Sequence, residues 1–148
     1  MHRTSPYAEL HCRSYFSLFD GASSPEDLVA QAVTLGLHSL ALIDHDSLAG
    51  AVRFGRAAQQ AGLHAVIGVE TTLVDGQHLT LLAETQTGYG NLCKLVTVSR
   101  SVNTSADSWA GKVTPALRWD DLAAHPQGLI ALTGCRRGPV AAALLAGD

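Results

Sequence analysis

The sequence predicts an α/β fold in which strands alternate with helices around a mostly parallel sheet. Three observations carry this. Continuous apolar runs at Leu40–Ile43, Ala65–Val69 and Leu129–Thr133 have the pattern of strands covered on both faces. Helix-length segments with start and stop signals separate them. Histidines, carboxylates and a cysteine gather where strands end, on the rim that carries active sites in parallel α/β folds and barrels. About four βα units are legible, fewer than a closed barrel needs. The expectation is therefore an open sheet or an incomplete barrel.

Taken in order, Tyr7–His11 predicts a short first strand. Ser24 then suits a helix N-cap, Pro25 the first helical position, and Glu26 and Asp27 the first turn. Leu28, Val29, Ala32, Val33 and Leu35 form one apolar face, and Gly36 stops the helix. After the Leu40–Ile43 strand, a second helix is predicted from about Leu48 to Ala61, ending at Gly62. The Ala65–Val69 strand follows. Thr71–Val74 and His78–Ala83 flank Asp75-Gly76, a hairpin turn signal. Gly88–Arg100 is predicted helical, with Leu92, Leu95, Val96 and Tyr89 inward. Val102–Thr114 lacks periodicity and is expected to be an exposed loop. A short helix over Arg118–Ala123, the strand Leu129–Thr133 and a helix from Pro139 complete the chain.

With 148 residues, 47% hydrophobic and 16% charged, the chain suits one globular domain with a real core. A formal net charge of −3 gives no overall basic signature for nucleic-acid binding. No apolar run approaches the roughly 18 residues of a membrane span. The start Met-His-Arg-Thr-Ser-Pro lacks a secretory apolar segment. Three widely spaced cysteines do not form a disulfide framework, so a reducing cytoplasm is the expected setting.

His11, Cys12 and Arg13 follow the first strand; Asp44, His45 and Asp46 follow the second; Glu70 ends the third; Cys135 follows the last. His, carboxylate and thiolate are ligands for zinc and similar divalent ions. Metals clustered in this way generate hydroxide and clamp phosphate during hydrolysis. Each residue also has a plainer reading. A lone His at a strand end is more often a hydrogen-bonded structural residue. Asp46 or Ser47 suits the N-cap of the next helix, and Cys135 suits a small buried apolar position. His2, His38, His64 and His125 take structural readings, and His78, opening a strand, is ambiguous. Arg136 and Arg137 offer phosphate contacts, although adjacent arginines are more often solvated. The shared topological position favours a site over a set of unrelated polar residues.

The motifs around these residues resemble a known family. Tyr7-Ala-Glu-Leu-His11-Cys-Arg-Ser14 is similar to the His-x-His-Ser motif of PHP (polymerase and histidinol phosphatase) domains. Ser17-Leu-Phe-Asp20-Gly-Ala-Ser23 resembles the Ser-x-x-Asp-Gly-Ala segment of their polymerase branch. Ala41-Leu-Ile-Asp44-His45-Asp46 resembles the second motif, usually Thr-Asp-His, and Ile67-Gly-Val-Glu70 the third. His78–Ala83, Gly88–Leu92 and Gly128–Cys135 resemble later polymerase-type segments. The likeness runs from about Tyr7 to the end and is nearest to error-prone polymerases of the bacterial DNA polymerase III alpha-subunit family.

The resemblance implies a partial distorted (β/α) barrel, with up to three metals (zinc, manganese or magnesium) at the strand C-termini. It implies phosphoesterase or exonuclease-like chemistry in active members. Carried over residue by residue, it makes His11, Asp20, His45, Glu70 and Cys135 metal-ligand positions and Asp44 a residue that orients them. Two departures weigh against full activity. The second His of the first motif is Arg13, and a guanidinium has no lone pair to give a metal and repels one. The late Asp-x-His motif does not occur within the 148 residues, nor does any His between His78 and His125. The expected unit is thus residues 1–148 as the N-terminal portion of one PHP domain, continued elsewhere by polymerase motifs. Weak or no metal binding is expected of it alone. Expected partners are the rest of a polymerase chain or replication and repair proteins, with DNA contacted only indirectly, and self-association through an open sheet edge. A stand-alone phosphoesterase and a non-catalytic polymerase module are the competing functions.

Overall fold

The computed structural model describes residues 7–101, 114–134 and 138–147. The elements are β1 (Glu9–Cys12), α1 (Pro25–Thr34), β2 (Ser39–Leu42), α2 (Ala51–Ala61), β3 (His64–Thr72), β4 (His78–Ala83), α3 (Gln86–Ser101), α4 (Trp119–Ala124), β5 (Leu129–Leu132) and α5 (Pro139–Ala146). The strands form one open sheet in the order β1-β2-β3-β4-β5.

The local signals for α1 hold. Ser24 caps it, its hydroxyl accepting from Asp27 N at 3.0 Å while the Asp27 carboxylate accepts from Ser24 N. Gly36 follows with φ 70°, the left-handed conformation in which glycine carries no Cβ penalty. The predicted inward face is narrower than expected: Val29 and Ala32 are buried, but Val33 and Leu35 stand in solvent. Helix α2 ends at Gly62 as predicted but starts at Ala51. Residues 47–50 are not helical, because Asp46 uses its carboxylate on β3 instead of capping a helix.

The sheet is mixed, not mostly parallel. Strands β1, β2 and β3 are parallel, whereas β4 runs antiparallel to both β3 and β5. The two predicted strands Ala65–Val69 and Thr71–Val74 are one nine-residue strand, β3, which turns through Asp75-Gly76 into β4. A hairpin reverses chain direction, so β4 runs antiparallel to β3. The last strand also differs from its reading: among the described residues β5 pairs only with β4 and leaves Ile130 45% exposed, so it is an edge there and not a doubly covered strand. By contrast β2 is covered on both faces, as its apolar run predicts. Leu40 and Leu42 pack with Val29, Phe54 and Ala58 of α1 and α2. Ala41 and Ile43 pack on the opposite face with Leu82. A further cluster joins Val69, Leu79 and Leu81 to Leu92 and Leu95 of α3.

The parallel ladder continues past the end of β2. Ile43 N donates to Cys12 O at 2.8 Å, Glu70 N to Asp44 O at 3.2 Å and Asp46 N to Glu70 O at 2.8 Å. This extension fixes the segment 44–46 against β3. The loop between β1 and α1 doubles back tightly, and a Cβ on Gly21 would lie 2.0 Å from Ser14 O. Gly21→Ala is therefore expected to lower stability by about 1–3 kcal/mol, measured as a shift of the urea midpoint at unchanged slope.

Candidate metal centre

Asp44 anchors the site from below. Its carboxylate is 1% exposed and accepts from Ser14 N (2.7 Å), Ser14 Oγ (2.8 Å) and Ser17 Oγ (2.8 Å). The Ser17 hydroxyl in turn accepts from His45 N at 2.9 Å. Asp44 thus ties the loop after β1 to the end of β2. Among the described residues its carboxylate bonds to Ser14 and Ser17 and to no candidate ligand side chain, so its hold on them runs through backbone and loop.

Above it, the rim is organised around Glu70. His11 Nε2 lies 3.1 Å from Glu70 Oε1, and the Arg13 guanidinium donates through Nη2 to Glu70 Oε2. Arg13 Nη1 also lies 3.4 Å from Asp20 Oδ2, so one cation joins two of the predicted ligand carboxylates. Its Nε is buried without a hydrogen-bond partner among the described residues. Burial, then the nearby Glu9 and Asp44 carboxylates, push the adjacent Cys12 thiol up from its ordinary value.

His45 sits between Asp20 and Thr72. Its Nδ1 is 3.4 Å from Asp20 Oδ2 and its Nε2 is 2.9 Å from Thr72 Oγ1. His78 completes the group. It pairs with Thr72 in the β3–β4 register, and its Nδ1 is 3.9 Å from Glu70 Oε2. The His45 and His78 rings meet edge to face with centroids 4.7 Å apart. Because β4 is reversed, its first residue lies at the carboxyl end of β3, on the same rim as the strand-end residues. Glu70 and Thr72 share one face of β3 at the strand's period of two, and their partners on neighbouring strands join that face.

His45, Glu70 and His78 each offer a ligand atom, all within 4.8 Å of one another. Two imidazoles and a carboxylate suit zinc or manganese. The donor set fits one ion better than a cluster, since an ion here competes with a guanidinium for the Glu70 carboxylate. Of the residues singled out in the sequence, His45 and Glu70 belong to this group, while His11 and Asp20 adjoin it through Glu70 and His45. Cys135 and Arg136 lie outside the described residues, as does the predicted loop up to residue 113. His78 is the residue whose part was not recognised, although the Asp75-Gly76 turn carried the signal: a tight hairpin returns residue 78 beside residue 72.

The PHP-domain family model matches residues 9–148. The chain belongs to the PHP-domain family. This PHP chain is 42% identical, over 95% of its length, to an error-prone DNA polymerase of Symbiobacterium thermophilum. It is 43% identical, over 96% of its length, to an error-prone DNA polymerase of Cutibacterium acnes. It spans only 14% and 13% of those two proteins. Among solved structures it resembles an amidohydrolase from Chromobacterium violaceum, determined with bound sulfate and no metal. That likeness has a TM-score of 0.53 at 28% identity and covers 63% of this chain and 33% of the other. Both the open α/β sheet and the family expected from the motifs are thereby established.

Asp44→Ala leaves three buried donors without their acceptor. A loss of about 3 kcal/mol is expected in equilibrium unfolding. A loss below about 1 kcal/mol would show that Asp44 does not hold the loop.

Proposed function

We propose that this chain acts as the PHP domain of an error-prone, C-family DNA polymerase, with a reduced metal site and a mainly structural role. The observation that carries this is Arg13: a permanent cation bridges Glu70 and Asp20 where the first motif would place a metal-binding histidine. The guanidinium neutralises the rim carboxylates without a metal, and multi-metal hydrolysis has lost the ligand it replaces. Residues 1–148 form the N-terminal portion of the domain in this reading, and the remaining polymerase chain is its partner. DNA is reached through that chain, since the domain itself has a net charge of −3. The setting is the cytoplasm; among the described residues no helix is long and apolar enough to cross a membrane.

The group His45, Glu70 and His78 supports one residual ion site within this role. An ion held there would supply Lewis acidity toward a phosphoryl oxygen or a bound water. Around it, His11 and Arg13 hold the Glu70 carboxylate in place, and Asp20 faces His45. The same group favours a second reading, a metal-dependent phosphoesterase in its own right. His11, Asp20 and, outside the described residues, Cys135 would be its further ligands, and Arg136 a phosphate contact.

Titration calorimetry with Mn²⁺ or Zn²⁺ separates the readings. The chain is expected to bind at most one ion, weakly, and to leave p-nitrophenyl phosphate unhydrolysed. Arg13→His is expected to tighten binding roughly tenfold, the scale on which residues around a metal site act. Tight binding of two or three ions with turnover by the unaltered chain would overturn the structural role in favour of the phosphoesterase.

A further inference from the structure

We infer that Asp46 and Thr72 are positioning residues that hold His45 as its Nε2–H tautomer, leaving Nδ1 as the atom that offers a lone pair to an ion. The argument is one of donors and acceptors. An ionised carboxylate only accepts. Asp46 Oδ1 accepts from Thr72 N at 2.9 Å, and Oδ2 lies 2.7 Å from Thr72 Oγ1, so the single hydroxyl proton of Thr72 goes to Asp46. Thr72 Oγ1 is left as an acceptor, and the His45 Nε2 that faces it at 2.9 Å must donate. The same nitrogen lies 3.3 Å from Asp46 Oδ2, another acceptor. Nε2 therefore carries the proton, and in a neutral imidazole Nδ1 does not.

Nδ1 lies 3.4 Å from Asp20 Oδ2. A nitrogen lone pair set against a carboxylate oxygen is repulsive unless a cation stands between or beside them. Arg13 Nη1, 3.4 Å from the same Asp20 oxygen, supplies a cation beside that pair, so the case for an ion at Nδ1 rests on the clustering of His45, Glu70 and His78.

The positioning pair is itself held rigidly. Asp46 N donates to Glu70 O, and Asp46 O accepts from Arg100 Nε at 3.1 Å and Nη2 at 2.7 Å. Both carboxylate oxygens are engaged by Thr72. These contacts hold Asp46 at φ 48°, a left-handed conformation that Asp tolerates better than most residues. Arg100 comes from the last turn of α3, so the orientation of His45 is set from three elements: β3, the end of β2 and α3. Ordinary helix capping by Asp46 would need none of these contacts. The ion-binding half of this inference rests on the residual-site reading above; the tautomer assignment does not.

Side-chain nitrogen–proton correlation spectra of the ¹⁵N-labelled chain, in buffer alkaline enough for neutral imidazoles, test the assignment. The Nε2–H pattern is expected for His45 in the unaltered chain and in Thr72→Ser, which keeps the hydroxyl. In Thr72→Val the pattern is expected to become mixed. An Nδ1–H pattern, or an imidazolium persisting in alkaline buffer, would sink the assignment; an unchanged pattern in a folded Thr72→Val would overturn the positioning role of Thr72, with Asp46 Oδ2 then the acceptor for Nε2. Mn²⁺ or Zn²⁺ titration of the same proteins reads the second half. Affinity is expected to fall roughly tenfold in Thr72→Val and to stay within about twofold in Thr72→Ser. Equal affinities in the two variants would overturn the positioning role. Absence of binding by the unaltered chain, with the Nε2–H pattern intact, would remove the ion site and leave the tautomer assignment standing.

Discussion

The buried carboxylate of Asp44 is the constraint on which the site depends. It takes three hydrogen bonds from the Ser14–Ser17 turn, and its own carbonyl accepts from Glu70 N. The loop after β1 carries Arg13 on one side of that turn and Asp20 on the other. Fastening the turn to the end of β2 therefore sets where a cation and a carboxylate meet the rim. Burying a charge is costly unless it is fully hydrogen-bonded, and the three donors meet that condition. The result is a floor that keeps its geometry whether or not an ion sits above it.

Above this floor the rim balances charge in two ways at once. Arg13 joins Glu70 to Asp20, a fixed cation that needs no supply of metal. His45, Glu70 and His78 form a group that could hold a metal ion. The two arrangements share Glu70, so each weakens the other.

His45 shows how far a ligand's environment extends. Its ring is held by Thr72, Thr72 by Asp46, and Asp46 by the Glu70 carbonyl and by Arg100 of α3. A change at Arg100 on α3 can thus reach the imidazole through Asp46 and Thr72. The mixed sheet matters in the same way, because reversal of β4 turns His78 from a strand opening into a rim residue.

Much of this was legible in the residues. Ser24, Pro25 and Gly36 mark the bounds of α1, the apolar run Leu40–Ile43 marks a doubly covered strand, and the motifs around His11, Asp44 and Glu70 mark the family. These are local signals, carried by spacing within a few residues, and the chain by itself determined them. It also determined that Arg13 stands where the motif it resembles carries a second histidine. Only the tertiary structure decided that Arg13 reaches both Glu70 and Asp20, that Asp44 turns down to Ser14 and Ser17, and that His78 joins His45 and Glu70. Those contacts join residues as far as 57 positions apart in the chain. Their geometry is set by strand register and direction, and a one-residue slip of register would turn each side chain to the opposite face.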